Sequence, residues 1–302
     1  MPAEHAGSRL DQALAQLLPQ HSRSRLKAWI ESGDVRVDGA TAQPRHKLRG
    51  GERVDVTCVP AEPLHDAPEA IPLDIRFEDD ALIVLDKPAG LVVHPGSGNR
   101  AGTLLNALLH HAPALAALPR AGIVHRLDKD TSGLMVVAKT AAAQNDLVRQ
   151  IASRAATREY LAVARGDVAR GATIDAPIGR HPVQRTTMAV VAHGKPARTH
   201  VHVMERFGIA TLLRCRLETG RTHQIRVHLA AIGHPLLGDP AYGRHVPHGA
   251  LAFGRQALHA ASLAFAHPLS GKRLQFASDP PDDFRALLAT LRAAAKMCVR
   301  RP

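Results

Sequence analysis

Between residues 10 and 18, Leu10, Ala13, Leu14, Leu17 and Leu18 recur three or four positions apart, and Pro19 ends the run. That spacing predicts one amphipathic helix. A second helix follows with Leu26, Trp29 and Ile30 on one face. Ser22 or Ser24 offers its N-cap, and Gly33 its left-handed stop. The period then falls to two at Val35-Arg36-Val37, meets Asp38-Gly39, and returns at Arg53-Val54-Asp55-Val56. Alternation around an Asp-Gly pair predicts a hairpin. Residues 7–60 thus read as one small module. Residues 61–70, rich in Pro and Ala, read as an extended, semi-stiff linker.

A larger domain is expected over residues 71–291. "ALIVLDKPAGLVVHPG" predicts a strand, a Pro-Ala-Gly turn and a second strand. Thr103 to His111 reads as a short helix, "GLMVVAKT" as a buried strand, and Ala141 to Ile151 as a helix. "YLAVARG", "THVHVMERF" and "ATLLRCRLE" read as strands, and "THQIRVHLAAIG" as a strand continuing into a helix. Residues 292–302 remain as a basic C-terminal tail. Strands and helices do not alternate regularly, which favours an α+β fold with a mixed, largely antiparallel sheet.

Charge narrows the choice of partner. Lys and Arg total 39 against 27 Asp and Glu, for a formal net charge of +12. Such a surface suits nucleic acid or an anionic membrane. No run approaches the roughly 18 apolar residues of a spanning helix, and Met1 to Gly7 lacks the apolar core of a signal peptide. A membrane partner is therefore not expected. Cys58, Cys215 and Cys298 are scattered, as free thiols of a reducing cytoplasm would be, and argue against structural zinc. His110-His111 and His245 with His248 lack ligand companions, so no metal site is expected. No P-loop occurs, and "HPGSGNRAG" reads as an ordinary loop. Residues 9–53 hold nine basic and five acidic residues, a net +4. Arg23, Arg25 and Lys27 open the second helix, where the helix N-terminus also favours phosphate. With "SRLKAWIESGDVRVDG" at its centre, this module resembles the S4 RNA-binding domain.

One segment could carry chemistry. In "HRLDKDTSGL", residues 125–134, seven of ten side chains are polar or charged and a strand follows. By residue type alone this is equally a capped turn or a set of reactive groups on a rigid edge. His125 with Asp128 could suggest a hydrolase, but no G-x-S-x-G elbow exists. "HRLDKDTSGLMVVAKT" is similar to the central motif of the RluA-type pseudouridine synthases. "EDDALIVLDKPAGLVVHPG", "REYLAVARG", "IGRHP", "LETGRTHQIRVHLAAIGHPLLGDPAYG" and "RQALHAASLAFAHPLSG" match that family's pattern in its order.

The resemblance implies an isomerase that turns uridine into pseudouridine without a cofactor. It implies that Asp128 is the catalytic carboxylate, either as nucleophile at C1′ or as base for the C2′ proton. Asp130 would be structural. Arg226 would pair with Asp128, and Tyr160 would stack on the base and help remove the C5 proton. Arg126 would assist base flipping, Arg221 would bind phosphate, and His125 would be structural. The implied partner is large-subunit ribosomal RNA within a pre-ribosomal particle, with transfer RNA as the alternative. The enzyme would act as a monomer in the cytoplasm. A competing reading is a non-catalytic S4-bearing ribosome factor, which would need no such carboxylate.

Overall fold

The computed structural model describes residues 1–18, 23–57, 67–96, 99–184, 186–243 and 253–299, with the side chains of 23–25 and 297–299 left aside. Most of the expected linker lies outside them, as do Pro19, Ser22, Cys58, His245 and His248. The chain divides into two compact units, Met1–Leu64 and His65–Pro302.

In the first unit, α1 (Leu10–Leu17) and α2 (Arg23–Ser32) bury Leu10, Ala13 and Leu14 against Leu26, Trp29 and Ile30. Gly33, at φ +86, ends α2. The N–H of Gly33 bonds to the Ile30 carbonyl at 3.3 Å and that of Asp34 to the Trp29 carbonyl at 2.9 Å, a Schellman stop. Strand β1 (Val35–Val37) pairs antiparallel with β2 (Ala40–Thr41) and with β3 (Val54–Val56). Asp38 and Gly39 both have positive φ (49 and 81), the backbone of a type I′ turn.

The second unit is built on one large sheet. Its strands are β4 (Asp74–Glu78), β5 (Leu82–Lys87), β6 (Ser132–Ala138), β7 (Thr157–Arg165) and β8 (Ala172–Asp175). A separate hairpin comprises β9 (Ile178–Arg180) and β10 (Met188–Val190). The sheet continues with β11 (Arg198–Arg206), β12 (Ala210–Leu217), β13 (Leu258–Ala266) and β14 (Arg273–Ala277). Its order is β4-β5-β6-β13-β7-β12-β11-β8, with β14 also on β13. The β6–β13 pair is parallel and the others are antiparallel, so the α+β fold with a mixed, largely antiparallel sheet is what forms.

Helices α3 (Leu104–His111) and α5 (Gln224–Ala231) cover one face, against Leu85, Met135, Val137 and Leu213. Helix α4 (Ala141–Ala152) covers Leu82, Val84, Leu134 and Val136 on the other, and α6 (Asp282–Val299) covers Val163 and Leu212. All seven residues of β6 are therefore buried, as a strand with no polar alternation requires.

Three expectations are corrected. After the Pro-Ala-Gly turn no second strand forms. The carbonyls of Val92 and Val93 instead accept the N–H groups of Leu104 and Leu105 at 2.8 and 3.2 Å, satisfying donors at the start of α3. "THQIRV" contains no strand, because Thr222-His223 forms a turn and α5 begins at Gln224. Helix α6 runs on to Val299, past residue 291 where a tail was anticipated. No helix among the described residues is long and apolar enough to cross a membrane.

Candidate active site

The segment before β6 has no regular structure, yet it is fixed at several points. The Asp128 carbonyl accepts the Thr131 N–H at 3.1 Å, and the Lys129 carbonyl accepts the Gly90 N–H at 2.9 Å. Lys87, wholly buried, donates to the carbonyls of Pro88, Leu91 and Lys129 at 2.7, 2.9 and 2.9 Å. It thereby ties the "DKPAGL" turn to the "LDKD" turn. Burial pushes its ammonium down to about 8, against the opposing pull of Asp130 and Asp128. The Asp130 carbonyl accepts Arg255 Nη1 at 3.0 Å. Gly133 has φ +117, and a Cβ there would lie 2.3 Å from the Ala260 carbonyl oxygen. Only glycine lets the start of β6 meet β13 so closely.

This frame holds the Asp128 side chain, one-fifth exposed, against the guanidinium of Arg226: Nη1 donates to Oδ2 at 2.9 Å. Arg226 sits in the first turn of α5. Its Nε and Nη2 donate to Oδ2 and Oδ1 of fully buried Asp239 at 2.8 and 2.9 Å. Asp239 Oδ1 also accepts the N–H groups of Ala241 and Tyr242 at 2.9 and 3.0 Å. Burial alone would raise the Asp239 carboxyl. The Arg226 guanidinium and the two backbone donors outweigh it and hold the group below its ordinary value. Burial would lower Arg226, but its bonds to Asp239 and the charge of both carboxylates raise it further. The Tyr242 ring lies 5.1 Å from the guanidinium carbon.

His223 completes the group. Its backbone is left-handed, at φ 56 and ψ 24, just ahead of α5. A non-glycine residue held there stores strain of the kind that marks functional positions. Its Nδ1 is 2.8 Å from the Tyr242 hydroxyl, and its Nε2 is 3.7 Å from Asp128 Oδ1. The Tyr242 oxygen also accepts the Met188 N–H at 3.0 Å. Burial lowers the His223 pKa despite the nearby Asp128, so the ring is neutral at neutral pH.

Tyr160, on β7, is buried between β12 and β13 and lines the same cleft, of about 460 Å³. Burial raises its phenol above the ordinary value; Arg158 opposes this and Asp128 adds to it. Exposed Arg126 and half-buried Arg221 also line the cleft, and Arg221 Nε donates to the Pro196 carbonyl at 3.0 Å. The structure thus brings together Asp128, Tyr160, Arg226, Arg126 and Arg221. Arg23, Arg25 and Lys27 belong to the other unit, at the start of α2, where Lys27 Nζ lies 3.4 Å from Glu31. His125 accepts the Val136 N–H at 3.1 Å, and burial pushes it down to about 3, so it is not a base at neutral pH. Among the described residues no group of three or more His, Cys, Asp or Glu could hold a metal ion. Sequence reasoning assigned no role to His223, Asp239 or Tyr242. Their one signal was membership of the "GRTHQIR" and "GDPAYG" stretches.

Residues 81–231 match the family model described as RNA pseudouridylate synthase, and residues 8–54 match the S4 domain. The chain belongs to the RNA pseudouridylate synthase family, and it is an isomerase acting on RNA. Over its whole length it is 59% identical to the Ribosomal large subunit pseudouridine synthase D of Nitrosomonas europaea, covering 90% of that protein. It is 54% identical to the protein of that name from Xanthomonas campestris, over 97% of this chain and 91% of the relative. Among solved structures, Human RNA Pseudouridylate Synthase Domain Containing 1 is 28% identical with a TM-score of 0.56, covering 74% of this chain and 96% of that one.

Proposed function

We propose that this enzyme isomerises uridine to pseudouridine in large-subunit ribosomal RNA, in the cytoplasm, with Asp128 as the reacting carboxylate. The observation that carries the assignment is the Asp128–Arg226 pair. Arg226 fixes Oδ2 at 2.9 Å, while Asp128 lines the cleft beside Tyr160. The carboxylate is thereby aimed. Breaking the N1–C1′ bond needs either attack at C1′ or loss of the C2′ proton, and one ionised carboxylate serves either route. The freed base turns, C5 joins C1′, and the C5 proton leaves. Tyr160 offers a flat face for the extruded base. Substrate and product contain the same atoms at the same oxidation level, so the reaction consumes no oxidant, reductant or co-substrate. Arg126 and Arg221 meet the RNA at the cleft, and Arg23, Arg25 and Lys27 of the S4 unit meet its backbone. The names of the full-length relatives support the ribosomal substrate.

The test is Asp128→Asn in single turnover on C5-tritiated RNA. The amide is isosteric but serves neither as nucleophile nor as base, so tritium release should stop while RNA affinity is little changed. Near-normal release would overturn the assignment. Mapping pseudouridine in ribosomal and transfer RNA from cells with and without the gene tests the substrate. Loss confined to transfer RNA would refute the ribosomal reading.

A further inference from the structure

Arg158 and Tyr160 are two residues apart on β7, so their side chains point to the same face of the sheet. Both line the cleft that holds Asp128. Arg158 is only 6% exposed. Among the described residues no carboxylate pairs with its guanidinium, and its Nε is buried with no hydrogen-bond partner. A Cβ at position 220 would come within 2.9 Å of Arg158 Nη1, so Gly220 leaves the guanidinium its room. Taking a charge out of water without a partner is unfavourable. The contrast with Arg226 is direct: that guanidinium makes three bonds to two carboxylates. One arginine is charge-paired by the protein itself. The other awaits an anion that the substrate must bring.

Two anions arrive with the RNA. Its phosphates are permanent, and the exposed Arg126 and half-buried Arg221 are placed to meet them. The second exists only during the reaction. When the N1–C1′ bond breaks, the electron pair stays on N1 and spreads onto O2 and O4 of the uracil ring. Either Asp128 then bonds to C1′, or it takes the C2′ proton and a C1′–C2′ double bond forms. The uracil anion persists until its C5 bonds to C1′. At that step the carboxylate departs, or a proton returns to C2′. C5 then loses its proton and N1 gains one. A buried guanidinium beside Tyr160 is charge placed in advance where negative charge develops. Its planar fork also matches the adjacent nitrogen and oxygen edge of the ring.

We propose that Arg158 is a catalytic residue that stabilises the departing uracil anion. This rests on the reading of Asp128 as the reacting carboxylate. Arg158→Gln should slow single-turnover glycosidic cleavage about a hundred- to a thousandfold. RNA affinity and the salt slope of binding should not change. Arg158→Lys, which keeps the charge, should recover part of the rate. In RNA carrying 5-fluorouridine the fluorine stabilises the departing anion, so the Gln variant should lose less. Removing an unpartnered buried charge should also raise the melting temperature of Arg158→Met.

Full rate in Arg158→Gln would overturn the proposal. So would weaker RNA binding with a salt slope shallower by nearly one, which would mark a phosphate contact. An equal loss on uridine and 5-fluorouridine RNA with no recovery in Lys, or a lower melting temperature in Met, would mark a structural arginine and overturn it too. Activity in Asp128→Asn would instead remove the underlying reading, so the two failures are separable.

Discussion

Asp239→Asn is the sharpest test of how the site is held. The carboxylate accepts four donors: Arg226 Nη2 and the N–H groups of Ala241 and Tyr242 on Oδ1, and Arg226 Nε on Oδ2. An amide best keeps its oxygen at Oδ1 and turns its NH₂ toward Arg226 Nε. One charge-assisted bond becomes a contact between two donors, and the buried guanidinium retains one carboxylate where it had two. Losing a hydrogen bond to a charged group costs about 1.5–3 kcal/mol, and breaking a buried pair about 3–5. These describe the same loss, and Asp128 remains as counter-charge, so about 2–4 kcal/mol is expected. For a domain of this size that lowers Tm by about 5–10 °C. The pH dependence follows from the depressed carboxyl of Asp239. Its stabilisation is fully present above the ordinary carboxylate pKa of about 4 and is lost as pH falls through the folded value. The gap between wild type and Asn variant should therefore be widest near neutrality and close in acid. Far-UV circular dichroism follows the large unit, while Trp29, the single tryptophan, reports the S4 unit and should not move. An unchanged Tm at pH 7, or a gap that persists undiminished into acid, would refute the reasoning.

Gly133→Ala should cost more than about 4 kcal/mol, beyond the usual range of single substitutions, because its Cβ meets Ala260 backbone at 2.3 Å with φ at +117. A soluble, normally melting variant would contradict the β6–β13 spacing. Lys87→Met should leave three carbonyls without their donor and loosen the Asp128 turn, lowering kcat more than it raises KM. Because burial depresses Lys87 to about 8, wild-type stability should gain from this group as pH rises from there to 10.5. Urea titrations across that window should show no such gain in the Met variant. His223→Ala should lower kcat by removing the imidazole that lies 3.7 Å from Asp128 Oδ1, with KM little changed. His223→Gln, which puts an amide N–H near the Nε2 position, should restore most of it, and equal kcat in all three proteins would exclude a role for the ring.

What the sequence could convey depended on the distance over which each residue is satisfied. The helices of the S4 unit, the stop at Gly33 and the Asp38-Gly39 turn are decided by neighbours within a few positions, and they formed as read. "LVVHPG" was misread because an apolar run looks like a strand until its carbonyls are found capping α3. "THQIRV" has β-branched residues and a histidine, yet it turns and becomes helix. The helix places Arg226 between Asp128, 98 residues earlier, and Asp239, 13 residues later. Asp128, Tyr160 and Arg226 were singled out through family resemblance, since residue type alone left the "HRLDKD" segment as either a turn or a site. Asp239 and Tyr242 lie in "GDPAYG", whose residue types carry no sign that they brace Arg226. No pattern in "REYLAV" could say that Arg158 would be buried without a partner, because that is a statement about what the other elements do not bring.

The two buried arginines of the cleft, Arg226 and Arg158, differ in how their charge is answered. Asp128 and Asp239 are two negative groups sharing one guanidinium, and the three bonds they accept fix its plane and orientation. A fixed guanidinium suits the role proposed for Asp128, which is to present one carboxylate oxygen in one orientation. A second cation that answered to the protein in the same way would be equally unavailable when charge moves onto the base. Arg158 escapes this because it stands on β7 with room left by Gly220, and among the described residues no carboxylate pairs with it. The group of two carboxylates and two guanidinium ions is then neutral before reaction. It carries its one unmatched positive end beside Tyr160, on the side where the base accumulates negative charge. Loading the opposite arrangement, with Arg226 free and Arg158 paired, would leave Asp128 unanchored at the step that needs it most.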